Sequence, residues 1–396
     1  MLNKLSIMDI KLREKCAFIR VDFNVPLDGS QNITDDTRIR ASLPTIDHAV
    51  DRGAKLILAS HLGRPKGKVV PEMSLRPVAE RLSELLGRQV LMAPDCIGEK
   101  VLEMASELRA GEVMLLENLR FHGGETSNDE AFAKALAGPA EVYVNDAFGT
   151  AHRAHASTVG ITQFLSPRAA GFLLQKEIEY FDGALAAPER PFIALLGGAK
   201  ISTKIPVIEN LMSKVDKLLI GGGMAFTFLK AGGLETGNSL LEKEMVELAE
   251  GYLRRSGGSG KEILLPQDLV IAREFDNDAE SRIVSADGIP AGWMGLDIGP
   301  QTIENWKGVI GGAGTIVWNG PMGAFEMPSF SRGTVEIARA VAESGAVSIV
   351  GGGDSVAALD VAGVREGISH VSTGGGASLD FLAGKTLPAI EVLDDK

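Results

Sequence analysis

The stretch PFIALLGGAKISTK, residues 191–204, contains an apolar run of strand length, Phe192–Leu196, that passes straight into Gly197-Gly198 and then Lys200 and Lys204. A run with no polar alternation fits a strand covered on both faces, as in a parallel sheet. Working outward from it, comparable runs follow at Lys217–Ile220, Glu262–Leu265, Thr315–Trp318, Val347–Val350 and His370–Ser372. Others precede it at Cys16–Phe23, Lys55–Ser60, Gln89–Ala93, Val113–Glu117 and Val142–Asn145. Longer helical stretches separate them, the pattern of crossover helices on parallel sheets. At 396 residues the chain suits two such domains rather than one. The expected fold is therefore α/β, two Rossmann-like parallel-sheet domains.

A helix joins the two halves. In GFLLQKEIEYFDGALAAPERP, residues 171–191, Leu174, Ile178, Phe181 and Leu185 recur on one helical face, and Pro188 and Pro191 end it. This segment divides the chain into an N-terminal domain, 1–170, a connector helix, 171–187, and a C-terminal domain that starts at 188. A rigid connector with breakers at its end suits a hinge beside a cleft.

Ligands of open parallel sheets bind beyond the carboxyl ends of the strands, so the residues after each strand report what is bound. In the C-terminal half those residues are glycines: LLGGAK (195–200), LIGGGM (219–224), VWNGPMG (317–323), IVGGGD (349–354) and VSTGGGA (371–377). Bare main chain admits ligand atoms closely, and a following helix start favours phosphate. In the N-terminal half they are polar and basic: RVDFNVP (20–26), SHLGRP (60–65), ENLRF (117–121) and NDAFGTAHRAHAS (145–157). Arg64, Arg120, Arg153, His61 and His152 gather at one sheet edge, and Arg38 in TDDTRIR can join them. Such a group suits a small polyanion, because guanidinium grips phosphate and carboxylate bidentately.

The formal net charge of −12 opposes nucleic-acid binding. Two cysteines, Cys16 and Cys96, eighty residues apart, leave no disulfide framework and no CxxC site; they read as buried thiols in a reducing compartment. The N-terminus lacks a signal-peptide core and no apolar run reaches membrane-span length, so a soluble cytoplasmic protein is expected. Gly384-Lys385-Thr386 ends like a P-loop, but Leu379 occupies the required glycine position. A GxGxxG reading from Gly221 fails at Phe226. His152 and His155 lack an acidic partner at zincin spacing.

Together, RVDFNVP, SHLGRP, NDAFGTAHRAHAS, LLGGAKISTK, WNGPMGAFE, GGGDS and STGGGA resemble the phosphoglycerate kinase family of bacterial type, in order and over nearly the whole chain. The resemblance implies phosphoryl exchange between ATP and the carboxylate of 3-phosphoglycerate, giving ADP and 1,3-bisphosphoglycerate, a glycolytic step. It places the 3-phosphoglycerate site on Asp22, Phe23, Asn24, Arg38, His61, Leu62, Gly63, Arg64, Arg120 and Arg153. The nucleotide falls to Lys204, Gly295, Glu326, Gly352, Gly353, Asp354 and Ser355, with Asp354 holding the Mg²⁺ that travels with ATP or ADP. Arg38, Lys200, Lys204, Gly374, Gly375 and Gly376 are expected to surround the transferring phosphoryl group. Ser355 stands where the family commonly has Thr. The resemblance also implies a monomer, domain closure, and a tail, 379–396, that packs on the N-terminal domain. Lys200 and Lys204 point the same way if their segment opens a helix. The rivals are a kinase for another carboxylate, such as acetate or an amino acid, and a non-catalytic binding protein with a closing cleft.

Overall fold

The computed structural model describes residues 2–258 and 260–396. The chain divides into two compact units, Met1–Glu179 with Thr386–Lys396, and Tyr180–Lys385.

The first unit is built on six parallel strands: β1 (Cys16–Val21), β2 (Lys55–Ala59), β3 (Val90–Met92), β4 (Val113–Leu115), β5 (Val142–Asp146) and β6 (Arg168–Ala170). Their order is β3-β4-β2-β1-β5-β6. Every residue of β1 and β5 is buried, which is why neither shows the polar alternation of a half-exposed strand. The core groups Ile19, Val21, Phe23, Leu56, Leu58, Leu62, Leu115 and Val144 with helix residues such as Ile39 and Ile46. β6 was not expected, because Arg-Ala-Ala carries no β-branched residue to announce a strand.

The second unit holds six further parallel strands, β7 (Phe192–Leu196), β8 (Lys217–Ile220), β9 (Glu262–Leu264), β13 (Thr315–Asn319), β14 (Val347–Gly351) and β15 (His370–Val371). The order β15-β14-β13-β7-β8-β9, read in reverse, is the 3-2-1-4-5-6 arrangement of dinucleotide-binding folds. The first unit departs from it, because β4 inserts between β3 and β2. A separate antiparallel sheet, β11-β10-β12, was also not anticipated. It comprises β10 (Asp268–Ala272), β11 (Ser281–Ser285) and β12 (Met294–Ile298).

The helix Phe172–Ala186 follows β6. Its first turn is fixed from below: the buried Asp146 carboxylate accepts hydrogen bonds from the N–H groups of Leu173 (2.9 Å) and Leu174 (3.3 Å). Gly171 is required there, since a Cβ would lie 2.2 Å from the Asp146 Oδ1. Burial pushes the Asp146 carboxyl up to about 7. Leu174, Ile178 and Phe181 are buried as their spacing predicts, while Ala184, rather than Leu185, completes the buried face. The unit boundary falls inside this helix, between Glu179 and Tyr180, rather than at its ends.

Residues 386–396 belong to the first unit, whereas 379–385 stay with the second. Arg168 Nε donates to Asp394 Oδ1 (2.8 Å), Lys4 Nζ pairs with Asp395 (2.8 Å), and Leu387, Ile390 and Leu393 are buried. Among the described residues no helix is long and apolar enough to cross a membrane.

Candidate active site

In the first unit the carboxyl ends of β1, β2 and β4 deliver a connected polar cluster. Arg38, from the helix Thr37–Asp51, donates through Nη1 to Asp22 Oδ2 (2.8 Å). His61 Nδ1 lies 3.9 Å from Asp22 Oδ1 and takes a hydrogen bond from Arg20 Nη2 (3.2 Å). Asn24 Oδ1 accepts the N–H of Gly63 (2.8 Å), and the Gly63 carbonyl accepts from Arg120 Nη1 (2.8 Å). Asn118 sets that strand end by donating to the Leu62 carbonyl (2.7 Å) and capping the Arg120 N–H (3.1 Å).

Positive charge outweighs negative in this cluster. Burial holds His61 well below the usual histidine range, and the charges of Arg20, Arg120 and Arg38 add to this, so it is neutral at pH 7. Its Nδ1 accepts, which leaves the proton on Nε2. Burial raises the Asp22 carboxyl, but its surroundings, the Arg38 and Arg20 guanidiniums among them, bring it down overall. Burial, with the like charges of Arg20 and Arg153, lowers Arg120 to about 10. Its Nε is buried without a hydrogen-bond partner among the described residues. Arg120 and Arg153 thus repel each other, and a bound anion relieves that repulsion.

Arg20 was not among the expected site residues. It is fully buried in β1, donates to Ser157 Oγ (2.9 Å), and holds His61 in its acceptor tautomer. An arginine inside the apolar run CAFIRV was the available signal, since a buried Arg needs partners. Two expected residues do not present side chains. Phe23 and Leu62 belong to the hydrophobic core, and the Phe23 N–H is taken by Ser60 Oγ (2.8 Å). Arg64 is exposed next to Gly63, and Arg153 is half-buried with Nε on His152 Nε2 (3.1 Å). A wider groove of about 1110 Å³ lies along 30–36 and 69–84. Four of its charges, Asp36, Arg40, Arg81 and Glu84, pair with one another.

In the second unit the glycine loops pack main chain on main chain. A Cβ on Gly197 would lie 2.0 Å from the Pro321 carbonyl oxygen, and one on Gly222 would lie 2.6 Å from the Gly198 nitrogen. These loops wall a cavity of about 610 Å³, lined by Gly198, Gly222, Gly223, Gly295, Pro321, Glu326 and Asp354. Its apolar side is Phe226, Leu240, Leu269, Phe275 and Met294, so the unanticipated sheet supplies much of the cavity. Gly295 leaves room for the Phe226 ring, which a Cβ would approach to 2.2 Å.

Lys204 is buried at the N-cap of the helix Ile205–Met212 and donates to the Asn319 carbonyl (2.8 Å) and to Asn319 Oδ1. Burial lowers its ammonium to about 8, partly offset by the Asp354 charge. Lys200 is exposed. The expectation that these lysines share a helical face is corrected: residues 201–204 form turns before the helix, with the Lys204 N–H on the Ile201 carbonyl (2.8 Å). Gly352 caps the helix Gly353–Ala362, whose first turn carries Asp354. Ser355 is buried and its Oγ accepts the Gly320 N–H (2.6 Å), so its hydroxyl braces the loop after β13. Gly375, at φ +50°, caps the helix Gly376–Leu382, and the Gly374 N–H bonds to Ser372 Oγ (3.1 Å).

A guanidinium cluster on one sheet and a glycine-walled cavity on the other narrow the comparison to a known group of proteins. The phosphoglycerate kinase family model matches residues 7–385. The chain belongs to the phosphoglycerate kinase family. The phosphoglycerate kinase of Moorella thermoacetica is 57% identical over 99% of this chain and 100% of its own length. The cytosolic phosphoglycerate kinase of Triticum aestivum is 56% identical, covering 97% and 96%. The solved phosphoglycerate kinase from Coxiella burnetii superposes with a TM-score of 0.91 at 42% identity over 98% of both chains. The family is one of phosphotransferases that use ATP and ADP as co-substrates.

Proposed function

We propose that this chain transfers the γ-phosphoryl group of ATP reversibly to the carboxylate of 3-phosphoglycerate, with the anion on the first unit and the nucleotide on the second. The observation that carries this reading is the Asp22–Arg38–His61–Arg120 cluster, in which Asp22 holds the Arg38 guanidinium, the Gly63 carbonyl holds that of Arg120, and a neutral His61 lies between them. The acceptor carboxylate is already ionised at neutral pH, so no base has to take a proton, and positioning and charge stabilisation supply the catalysis.

Arg38, Arg120, Arg153 and Arg64 receive the anion's charges. The His61 Nε2–H and the backbone around Gly63 donate to it, and Asn24 fixes that backbone. Asp22 acts as a positioning residue for Arg38. In the second unit the nucleotide base lies against Phe226, Leu269 and Met294, Glu326 faces the ribose, and Gly352, Gly353 and Ser355 shape the phosphate end. Lys204 and Lys200, with Arg38 and Gly374–Gly376, surround the phosphoryl group. Asp354 fits the cation of a metal–nucleotide complex: it is an exposed carboxylate on the cavity wall, and Mg²⁺ is ordinarily held by one or two carboxylates plus phosphates. When bound, the ion neutralises phosphate charge. In-line transfer needs the reacting atoms within about 3–3.5 Å, so the reading includes closure of the units during turnover. A cytoplasmic monomer that binds no nucleic acid is part of the same proposal, supported by the acidic charge and two unpaired buried cysteines.

Arg153→Ala tests the partition of substrates. Loss of a charge-assisted contact of about 1.5–3 kcal/mol should raise KM for 3-phosphoglycerate roughly 10- to 100-fold, with KM for ATP changed less than about threefold. Equal changes in both constants would mean that the sites are misassigned.

A further inference from the structure

Among the described residues outside the candidate site, one cluster of metal-ligating side chains is left without a role. Asp95 and Cys96 follow β3, and His122 follows β4; these strands are neighbours in the first sheet, so both loops leave the same edge. Carboxylate oxygen, thiol sulfur and imidazole nitrogen all lie within 4.8 Å of one another. His122 Nε2 is 2.6 Å from Asp95 Oδ1, which also accepts the Cys96 N–H (2.6 Å). Cys96 is buried, and its Sγ donates to the Glu117 carbonyl (2.9 Å). The His122 ring stacks on Phe132 with centroids 5.0 Å apart, which fixes its plane.

We propose that Asp95, Cys96 and His122 form a binding site for a borderline-soft divalent cation of the zinc class. One sulfur, one nitrogen and one oxygen suit such an ion and not Mg²⁺, which takes oxygens. Tetrahedral bonds of about 2.0–2.3 Å place ligand atoms roughly 3.3–3.8 Å apart. Opening the 2.6 Å contact and closing the 4.8 Å limit each require about 1 Å of side-chain movement. The half-exposed Asp95 and His122 meet an incoming ion first, and the thiol behind them completes the protein ligands. A solvent oxygen fills the fourth position.

Binding balances as Zn²⁺ plus R–SH giving Zn–S–R and H⁺: a zinc–sulfur bond forms, the S–H bond breaks, and the proton goes to the buffer. Because the ligand is the thiolate, the ion competes with the thiol proton and affinity rises with pH. The site would also tie the loop after β3 to the segment that carries Arg120.

The test titrates Co²⁺, and separately Zn²⁺, into the reduced full-length chain without nucleotide. The expected result is a thiolate-to-cobalt charge-transfer absorption with intense tetrahedral d–d bands, saturating at one equivalent, displaced by Zn²⁺ and accompanied by proton release. Cys96→Ser should abolish the charge-transfer band, His122→Gln should weaken Zn²⁺ binding at least about tenfold, and Cys16→Ser should leave both unchanged. His122→Gln guards against misfolding of the buried Cys96 variant, with circular dichroism as the check on each. A wild-type spectrum showing only weak octahedral bands, a band lost in Cys16→Ser, or Zn²⁺ affinity unaltered in His122→Gln would overturn the proposal.

Discussion

Lys204→Ala should lower kcat by at least about 10³-fold while nucleotide affinity stays within about tenfold. Removing one preorganised charge from a phosphoryl-transfer site costs on that scale. Lys204 is unusually well placed to act so. Its ammonium is buried, held by both oxygens of Asn319, and sensed by Asp354. Little reorganisation remains when charge develops on the phosphoryl oxygens. The same burial gives a pH signature. The group is lowered to about 8, so it is charged below that value and loses its proton as pH rises through it. With phosphates absent, kcat/KM for the nucleotide should therefore fall on the alkaline side of about pH 8. Bound phosphates favour the charged form, so the fall in kcat should lie at higher pH. Turnover within tenfold of wild type in Lys204→Ala would remove this lysine from the chemistry.

The second large effect belongs to Arg38. Arg38→Ala should reduce kcat about 10²- to 10³-fold and also raise KM for 3-phosphoglycerate. Two losses combine. The forked donor disappears from the transferring group, and Asp22 turns from a partner of Arg38 into a less compensated negative charge inside an anion site. Arg38→Lys should recover only part of the activity, because an ammonium restores charge but not the bidentate geometry. Steady-state kinetics of both variants decide the point. If the lysine variant matches wild type, only charge matters at this position, and if the alanine variant is fully active, Arg38 is a surface arginine.

Much of this architecture is legible in the chain because parallel strands covered on both faces cannot alternate. CAFIRV, VYVND and FIALL announce themselves by unbroken burial. The antiparallel sheet escaped for the opposite reason. β11, Ser281–Ser285, is largely exposed, and β10 and β12 lie among Asp, Pro and Gly that read as loop. With that sheet went the apolar wall of the cavity, Leu269 and Met294. Site residues at strand ends could be read because sheet topology brings those ends together whatever the intervening sequence. What could not be read was direction. Phe23 turns into the core between Asp22 and Asn24, as strand alternation near a sheet end allows. Lys200 and Lys204 diverge because their spacing says nothing until one knows that the helix begins at Ile205. Arg20 stood in plain view, a charge inside a strand that needs partners, but only the fold shows that these are Ser157 and His61.

The central claim is that a cation-lined pocket on one sheet and a main-chain-lined cavity on the other serve a single phosphoryl transfer. A coupled assay of ADP formation with purified chain, Mg²⁺, ATP and 3-phosphoglycerate, run beside acetate and aspartate, tests it most directly. Rapid, saturable turnover with 3-phosphoglycerate and none with the other two carboxylates is predicted. Absence of turnover with 3-phosphoglycerate, or comparable turnover with acetate, would contradict it.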